Sequence, residues 1–221
     1  MYTKIKHSNL SSWKLKCLID EWVYNTPARV CADKLHLNKN TVNLWYSRIR
    51  FGIAAVPDPL PFSGIVEVDE TYLAYKRIQI SKDRYTVDSV PIFGIRERSS
   101  GHVWAMVVPK TDHTVLVPLI KQRVVPHSTI YSDGFGAYYH LKSQGYTHHV
   151  VLHEYTFVNQ GRVHTNGIES FWAYLKHFLA TRKGLSAEHY QLHLKEAQKR
   201  FNTSEPKELR VLARQILRSY H

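Results

Sequence analysis

Three acidic residues and one lysine stand where metal-dependent chemistry could be built. Asp69 closes the run Ile65-Val66-Glu67-Val68, Asp133 closes Ile130-Tyr131-Ser132, and Glu169 lies within His164-Thr165-Asn166-Gly167-Ile168-Glu169-Ser170-Phe171-Trp172. An aspartate after an apolar, alternating segment stands at a strand end, where α/β sheets gather ligands. Three carboxylates from two strand ends and a helix make an all-oxygen set suited to Mg²⁺ or Mn²⁺. At roughly 100° per residue, Ile168, Phe171, Trp172, Leu175 and Leu179 form a core stripe. Asn166, Glu169, Ala173 and Lys176 form a second stripe beside it. A metal-site acid with a phosphate-gripping cation on its own face needs that arrangement. Each residue also has a plainer reading. Strand-end aspartates form turns, Asp133-Gly134 is a good turn dipeptide, and Glu169 with Lys176 fits a solvated helix face.

Positioning these residues requires a sheet and a long helix. After the prolines of Val56-Pro57-Asp58-Pro59-Leu60-Pro61, strands are expected over 65–69, 90–95, 102–108, 128–132 and 148–152. Helices are expected over 114–124, 134–144, 166–182, 187–201 and 206–219, the last with Ser204 as cap and Pro206 in its first turn. Strands followed by alternating helices and strands describe an α/β domain with a mixed sheet. The prolines favour an extended spacer and mark a boundary. Four segments follow: residues 1–55, a linker 56–63, a catalytic domain 64–205 and a C-terminal helix 206–221.

The first segment reads as helix, short helix, turn, helix: Ser11 or Ser12 to Tyr24, Thr26-Pro27 opening a helix through Lys34, and Asn38 capping one through Arg50. This is a helix-turn-helix pattern. Lys39, Asn40, Asn43 and Ser47 would face outward, with Arg48 as a further DNA contact, while Val42, Trp45, Tyr46 and Ile49 pack inward. A three-helix interaction module with solvated charges is the alternative. Charge favours nucleic acid. The 221 residues carry a formal net charge of +12, and residues 1–55 hold nine Lys and Arg against three Asp and Glu.

Composition closes other classes. With 43% hydrophobic residues the chain can build a core, so disorder is not expected. Two separated cysteines make neither a disulfide framework nor a zinc ribbon, and the 14 histidines show no ligand spacing. No membrane span or signal peptide is read, and a cytoplasmic protein with no membrane partner is expected.

Taken together, Val68-Asp69-Glu70-Thr71-Tyr72, Ser132-Asp133-Gly134, the His164 to Trp172 run, Lys176 and Arg200-Phe201-Asn202 resemble the DDE transposases of small bacterial insertion sequences. Asp133 and Glu169 are 36 positions apart, a spacing characteristic of that superfamily, and Glu169 and Lys176 are seven apart. The match runs in order from about residue 10 to residue 205. The resemblance implies an α/β, RNase H-like mixed sheet flanked by helices and preceded by a small all-α helix-turn-helix module. It implies two Mg²⁺ ions, replaceable by Mn²⁺, held by Asp69, Asp133 and Glu169, with Lys176 on the DNA backbone. His164 and Asn166 become candidates to contact DNA or to buttress the ligands, and Trp172 reads as core. The implied partner is double-stranded DNA, both the element's terminal repeats and target DNA, bound by a homodimer or larger assembly. Rival readings are a DNA-binding derivative without catalysis, a metal-dependent nuclease of the same fold, and a helix-turn-helix regulator with a sensing domain.

Overall fold

The computed structural model describes residues 10–58, 61–81, 84–151, 165–182 and 185–220, with backbone alone for 75–81, 84–87 and 187. His164 lies outside the described residues.

Helices α1 (Ser12–Val23), α2 (Ala28–Leu35) and α3 (Lys39–Ala55) form the head. Ser11 and Asn38 cap α1 and α3 as expected, accepting from Lys14 N and Asn40 N. Thr26 does not cap α2. Pro27 occupies the cap position with no side-chain hydrogen bond. The turn into α3 passes through His36, which is left-handed at φ 50°. Val42, Trp45, Tyr46 and Ile49 are buried, and α3 runs five residues past Arg50, through Gly52. A Cβ at Gly52 would stand 2.1 Å from Ile216, so its absence lets the C-terminal helix seat there. That helix, α7 (Pro206–Ser219), returns to the head: Leu209, Ala213, Ile216 and Leu217 share one core with α1–α3. Its cap position is Glu205 rather than Ser204, without a side-chain bond.

The remaining chain builds β1 (Ile65–Ser81), β2 (Arg84–Glu97), β3 (Val103–Val107), α4 (His113–Arg123), β4 (Thr129–Ser132), β5 (Thr147–Val150), α5 (Asn166–Ala180) and α6 (Tyr190–Phe201). The sheet order is β3-β2-β1-β4-β5. β1–β2 and β2–β3 pair antiparallel, while β1–β4 and β4–β5 pair parallel. A three-strand meander continued by two parallel strands, with helices packed on the sheet, is the expected RNase H-like α/β fold. Two expectations change. β1 and β2 continue well beyond 65–69 and 90–95 as one long hairpin. Residues 134–144 make two short 3₁₀ turns, Gly136–Tyr138 and Lys142–Gln144, not a helix. Gly134 and Gly136 weaken a helix start, and Asp133 accepts from Phe135 N in a turn of its own.

Amides of α6 and of its C-cap residue, Asn202, finish the sheet. Gln191, Gln198 and Asn202 each accept, through a side-chain oxygen, from Val107 N, Ala105 N and Val103 N of edge strand β3, at 2.9, 3.1 and 2.8 Å. An edge that would otherwise expose donors is thus covered. Within the proline-rich segment Asp58 is anchored: it accepts from Trp104 Nε1 and Arg123, both at 2.9 Å, and pairs with Lys195. Among the described residues no helix is long and apolar enough to cross a membrane.

Candidate active site

β1 and β4 run parallel, and their last registered pair is Glu67 with Tyr131. Asp69 and Asp133 each stand two residues further on, on adjacent strands whose spacing is about 4.8 Å. Asp69 is half-buried, and Asp133 half-buried at the strand end. Glu169 stands in the first turn of α5, near enough for its charge to act on Asp69. The convergence is electrostatic as well as topological. Burial pushes the Asp69 carboxyl up to about 6, and the charges of Asp133 and Glu169 push the same way. Glu70, its neighbour, is pushed up to about 8 by burial and then by Asp133 and Asp69. Its Oε1 and the fully buried Tyr138 hydroxyl lack hydrogen-bond partners of ordinary geometry, though each lies within the other's field.

The N-terminus of α5 is fixed by a second carboxylate that the sequence did not single out. Glu67 is fully buried and accepts from Ile168 N at 2.8 Å, serving as an external cap for the helix. Arg98 holds it at 2.7 Å and Arg96 at 3.8 Å. A Cβ on Gly167 would stand 2.1 Å from Arg96 and 2.6 Å from Glu67, so only glycine admits this clamp. The glycine inside the sequence motif is therefore a packing requirement that sets the place of Glu169 two residues later. Thr165 Oγ1 donates to Glu169 at 3.1 Å.

Trp172 is core, as expected, but it also serves the site: its Nε1 donates to Asp69 Oδ2 at 2.9 Å. Gly94, paired with Asp69 across β1–β2, makes room for it, since a Cβ there would meet the indole at 2.5 Å. The indole thus reaches a carboxylate instead of only filling volume.

The other predicted residues divide. Lys176 is exposed, seven positions beyond Glu169 and about 10 Å further along the helix. Asn166 is exposed at the first position of α5. In the head, Lys39, Asn40 and Asn43 are exposed, whereas the Arg48 guanidinium stacks 4.7 Å over Trp45. Among the described residues no three Asp, Glu, His or Cys side chains stand close enough together to hold one ion. Asp69 is turned to Trp172, Asp133 to Phe135 N and Glu169 to Thr165. The donor chemistry nevertheless fits a hard divalent cation, because these are oxygen ligands whose mutual repulsion a cation would relieve.

A mixed α/β domain that gathers acids at the ends of its central parallel strands defines the general class. The family follows: residues 61–202 match the ISXO2-like transposase domain, and the chain belongs to that family of transposases. An "uncharacterized transposase-like protein" of Haemophilus influenzae is 34% identical over 116 residues, 52% of this chain and 94% of that protein. An "uncharacterized protein in transposable element ISH50" of Halobacterium salinarum is 28% identical over 193 residues, 80% of this chain and 64% of that protein. Among solved structures, the catalytic core domain of BIV integrase is similar at 18% identity and TM-score 0.44, covering 67% of this chain and 94% of that one.

Proposed function

We propose that this transposase cuts and joins DNA at the ends of its element, using two divalent metal ions held by Asp69, Asp133 and Glu169. The observation that carries the reading is that Asp69 and Asp133 stand at matching positions on adjacent parallel strands, with the charges of Asp133 and Glu169 both acting on Asp69. Bound Mg²⁺ or Mn²⁺ would supply Lewis acidity to both the entering and the leaving oxygen of an in-line displacement. The chain's own residues do the rest. Glu67, Gly167 and the two arginines set where Glu169 stands, and Trp172 orients Asp69. Lys176, exposed on the face of Glu169, grips the phosphate backbone beside the cut. In cleavage, water attacks phosphorus and the bond to the 3′ oxygen breaks, freeing a 3′-hydroxyl at the element end. In joining, that hydroxyl attacks a target phosphodiester and displaces its 3′ oxygen. No covalent bond to the protein is formed. The head, with Lys39, Asn40 and Asn43 outward, binds the terminal repeats, and pairing two ends requires two or more chains.

The test is purified protein with Mg²⁺ and duplexes carrying the repeats that flank the gene. Wild type yields end cleavage and strand transfer. Asp69→Ala reduces both by about a hundred- to a thousandfold, the scale on which removing electrostatic stabilisation acts, yet still folds and binds the duplex. Equal activity in the variant overturns the assignment, and nicking without joining makes the protein a nuclease.

A further inference from the structure

A second charged region lies away from the carboxylates, where head and catalytic domain meet. A cavity of about 570 Å³ opens between the start of α2, one face of α3 (Lys39, Asn43, Tyr46, Arg50), the end of α5 and α6. No aspartate or glutamate lines it, while Arg29, Lys39, Arg50, Arg182 and Arg200 do. Beneath it the buried Glu196 is the shared partner of Arg50 at 2.9 Å, Arg200 at 2.9 Å and Arg182 at 3.8 Å. One carboxylate therefore faces three guanidinium groups, and the rim adds two more cations.

Polar groups in the wall lack partners. Trp22 and His193 both line the cavity and are nine-tenths or more buried. Trp22 Nε1 and His193 Nδ1 have no hydrogen-bond partner. The start of α2 adds backbone donors. Thr26 leaves the first turn without a side-chain cap, and Ala28 and Arg29, whose N–H groups open the helix, line the same cavity. A helix start with free N–H groups and cationic walls without an acidic residue fits an oxyanion.

We propose that this cavity is a phosphate site, and that it seats a backbone phosphate of the DNA held by the head. The DNA source rests on the function proposed above. It is favoured because the cavity joins Lys39 and Asn43 of the head to Arg182. That arginine lies at the far end of the helix that carries Glu169, roughly 20 Å along its axis. A strand gripped there is held by the head and by the helix of the candidate site at once.

Two measurements on the full chain test this, comparing wild type with Arg29→Gln/Lys39→Gln, both exposed positions. First, inorganic phosphate replaces chloride at equal ionic strength. The melting temperature of wild type rises with the logarithm of phosphate concentration, and that of the variant does not. Second, duplex affinity is measured across a salt series. The slope of log K against log salt becomes shallower by about one for each DNA phosphate that the variant no longer grips. Lys142→Gln/Lys207→Gln, away from the cavity, leaves the slope unchanged. Both effects together support a seated DNA phosphate. Phosphate stabilisation with an unchanged slope keeps the site and assigns it to free phosphate. A changed slope without phosphate stabilisation puts the rim cations on DNA outside the cavity and overturns the proposal, as does the absence of both effects. Should wild type bind no duplex, the DNA reading falls while the phosphate arm still reports on the cavity. Should Asp69→Ala abolish cleavage while both arms fail, the phosphate site falls and the proposed function stands.

Discussion

The strand-end site and the domain junction both crowd charges of one sign, and they settle the conflict differently. At the junction the chain supplies its own counter-charge. Burial works against the Glu196 carboxylate, but Arg200, Arg50 and Arg182 together bring it down to about 2. Arg200 also donates to the carbonyls of Trp22 and Val23, so the cluster closes the end of α1. At the strand ends no cation of the chain answers Asp69, Glu70, Asp133 and Glu169 among the described residues, and Asp69 is left with an indole N–H. The lesson is one of purpose. Charge that serves the fold, as in the Glu196 cluster beneath the cavity, is compensated within the fold, whereas the strand-end acids and the rim cations Arg29 and Lys39 are left for a ligand.

The largest expected effect tests that contrast by removing one acid from each region. Glu196→Ala strands three guanidinium groups in a buried junction and is expected to cost about 3–5 kcal/mol, the scale for breaking a buried ion pair from one side. Asp69→Asn, measured without divalent ions, is expected to move the other way. It removes a repelled carboxylate, and Tm rises by about 3 °C for each kcal/mol relieved. Urea unfolding of both variants decides it. Destabilisation of both would mean that the strand-end acids also serve the fold.

Acidity separates the regions next, with opposite signs. Glu196 has its folded pKa depressed from 4.5 to about 2, so its contribution is present above 4.5 and lost as pH falls through 2. His193 is driven from 6.5 to about 3, by burial first and then by Arg50, so its contribution drains as pH falls from 6.5 towards 3. Asp69 and Glu70 are raised to about 6 and about 8, so their contributions are present at low pH and lost as pH rises through those values. Stability in chelator should therefore fall on both sides of a mildly acidic maximum. His193→Gln should flatten the acid limb and Asp69→Asn the alkaline one, read as urea midpoints against pH. A single shared slope would show that the two regions do not titrate independently.

The sequence made some of this visible for definite reasons. Strand ends and helix caps are local, so Asp69, Asp133, Ser11 and Asn38 could be placed from their neighbours alone. The motif around Glu169 was legible as a pattern, but its glycine was not interpretable without Glu67 and Arg96, which lie 100 and 71 positions earlier. The Arg200-Phe201-Asn202 run is explained only in three dimensions. Arg200 joins the Glu196 cluster, Phe201 packs edge-on to Phe171, and Asn202 completes β3. The return of α7 to the head likewise depends on Gly52 meeting Ile216, a contact no local pattern encodes. Helix expectation failed at 134–144 because glycines and an aspartate turn outweighed the apolar spacing.

The smallest expected effect concerns Trp172, a side chain that belongs to both core and site. Trp172→Phe keeps an aromatic ring against Gly94 but removes the donor to Asp69. A neutral donor to a carboxylate contributes about 1.5–3 kcal/mol at most, and less where water can replace it. If the indole only fills space, unfolding stability changes slightly and DNA cleavage follows it. If it orients Asp69, the cleavage rate falls by about tenfold while stability shifts by no more than about 1 kcal/mol, and the Mg²⁺ concentration for half-maximal rate rises. Gly94→Ala pushes on the same indole from behind, where a Cβ would stand 2.5 Å from the ring. That variant should reproduce the higher metal requirement with the donor still present. Agreement between the two variants, with unfolding stability little changed in both, would assign the effect to the placement of Asp69 rather than to packing of the ring.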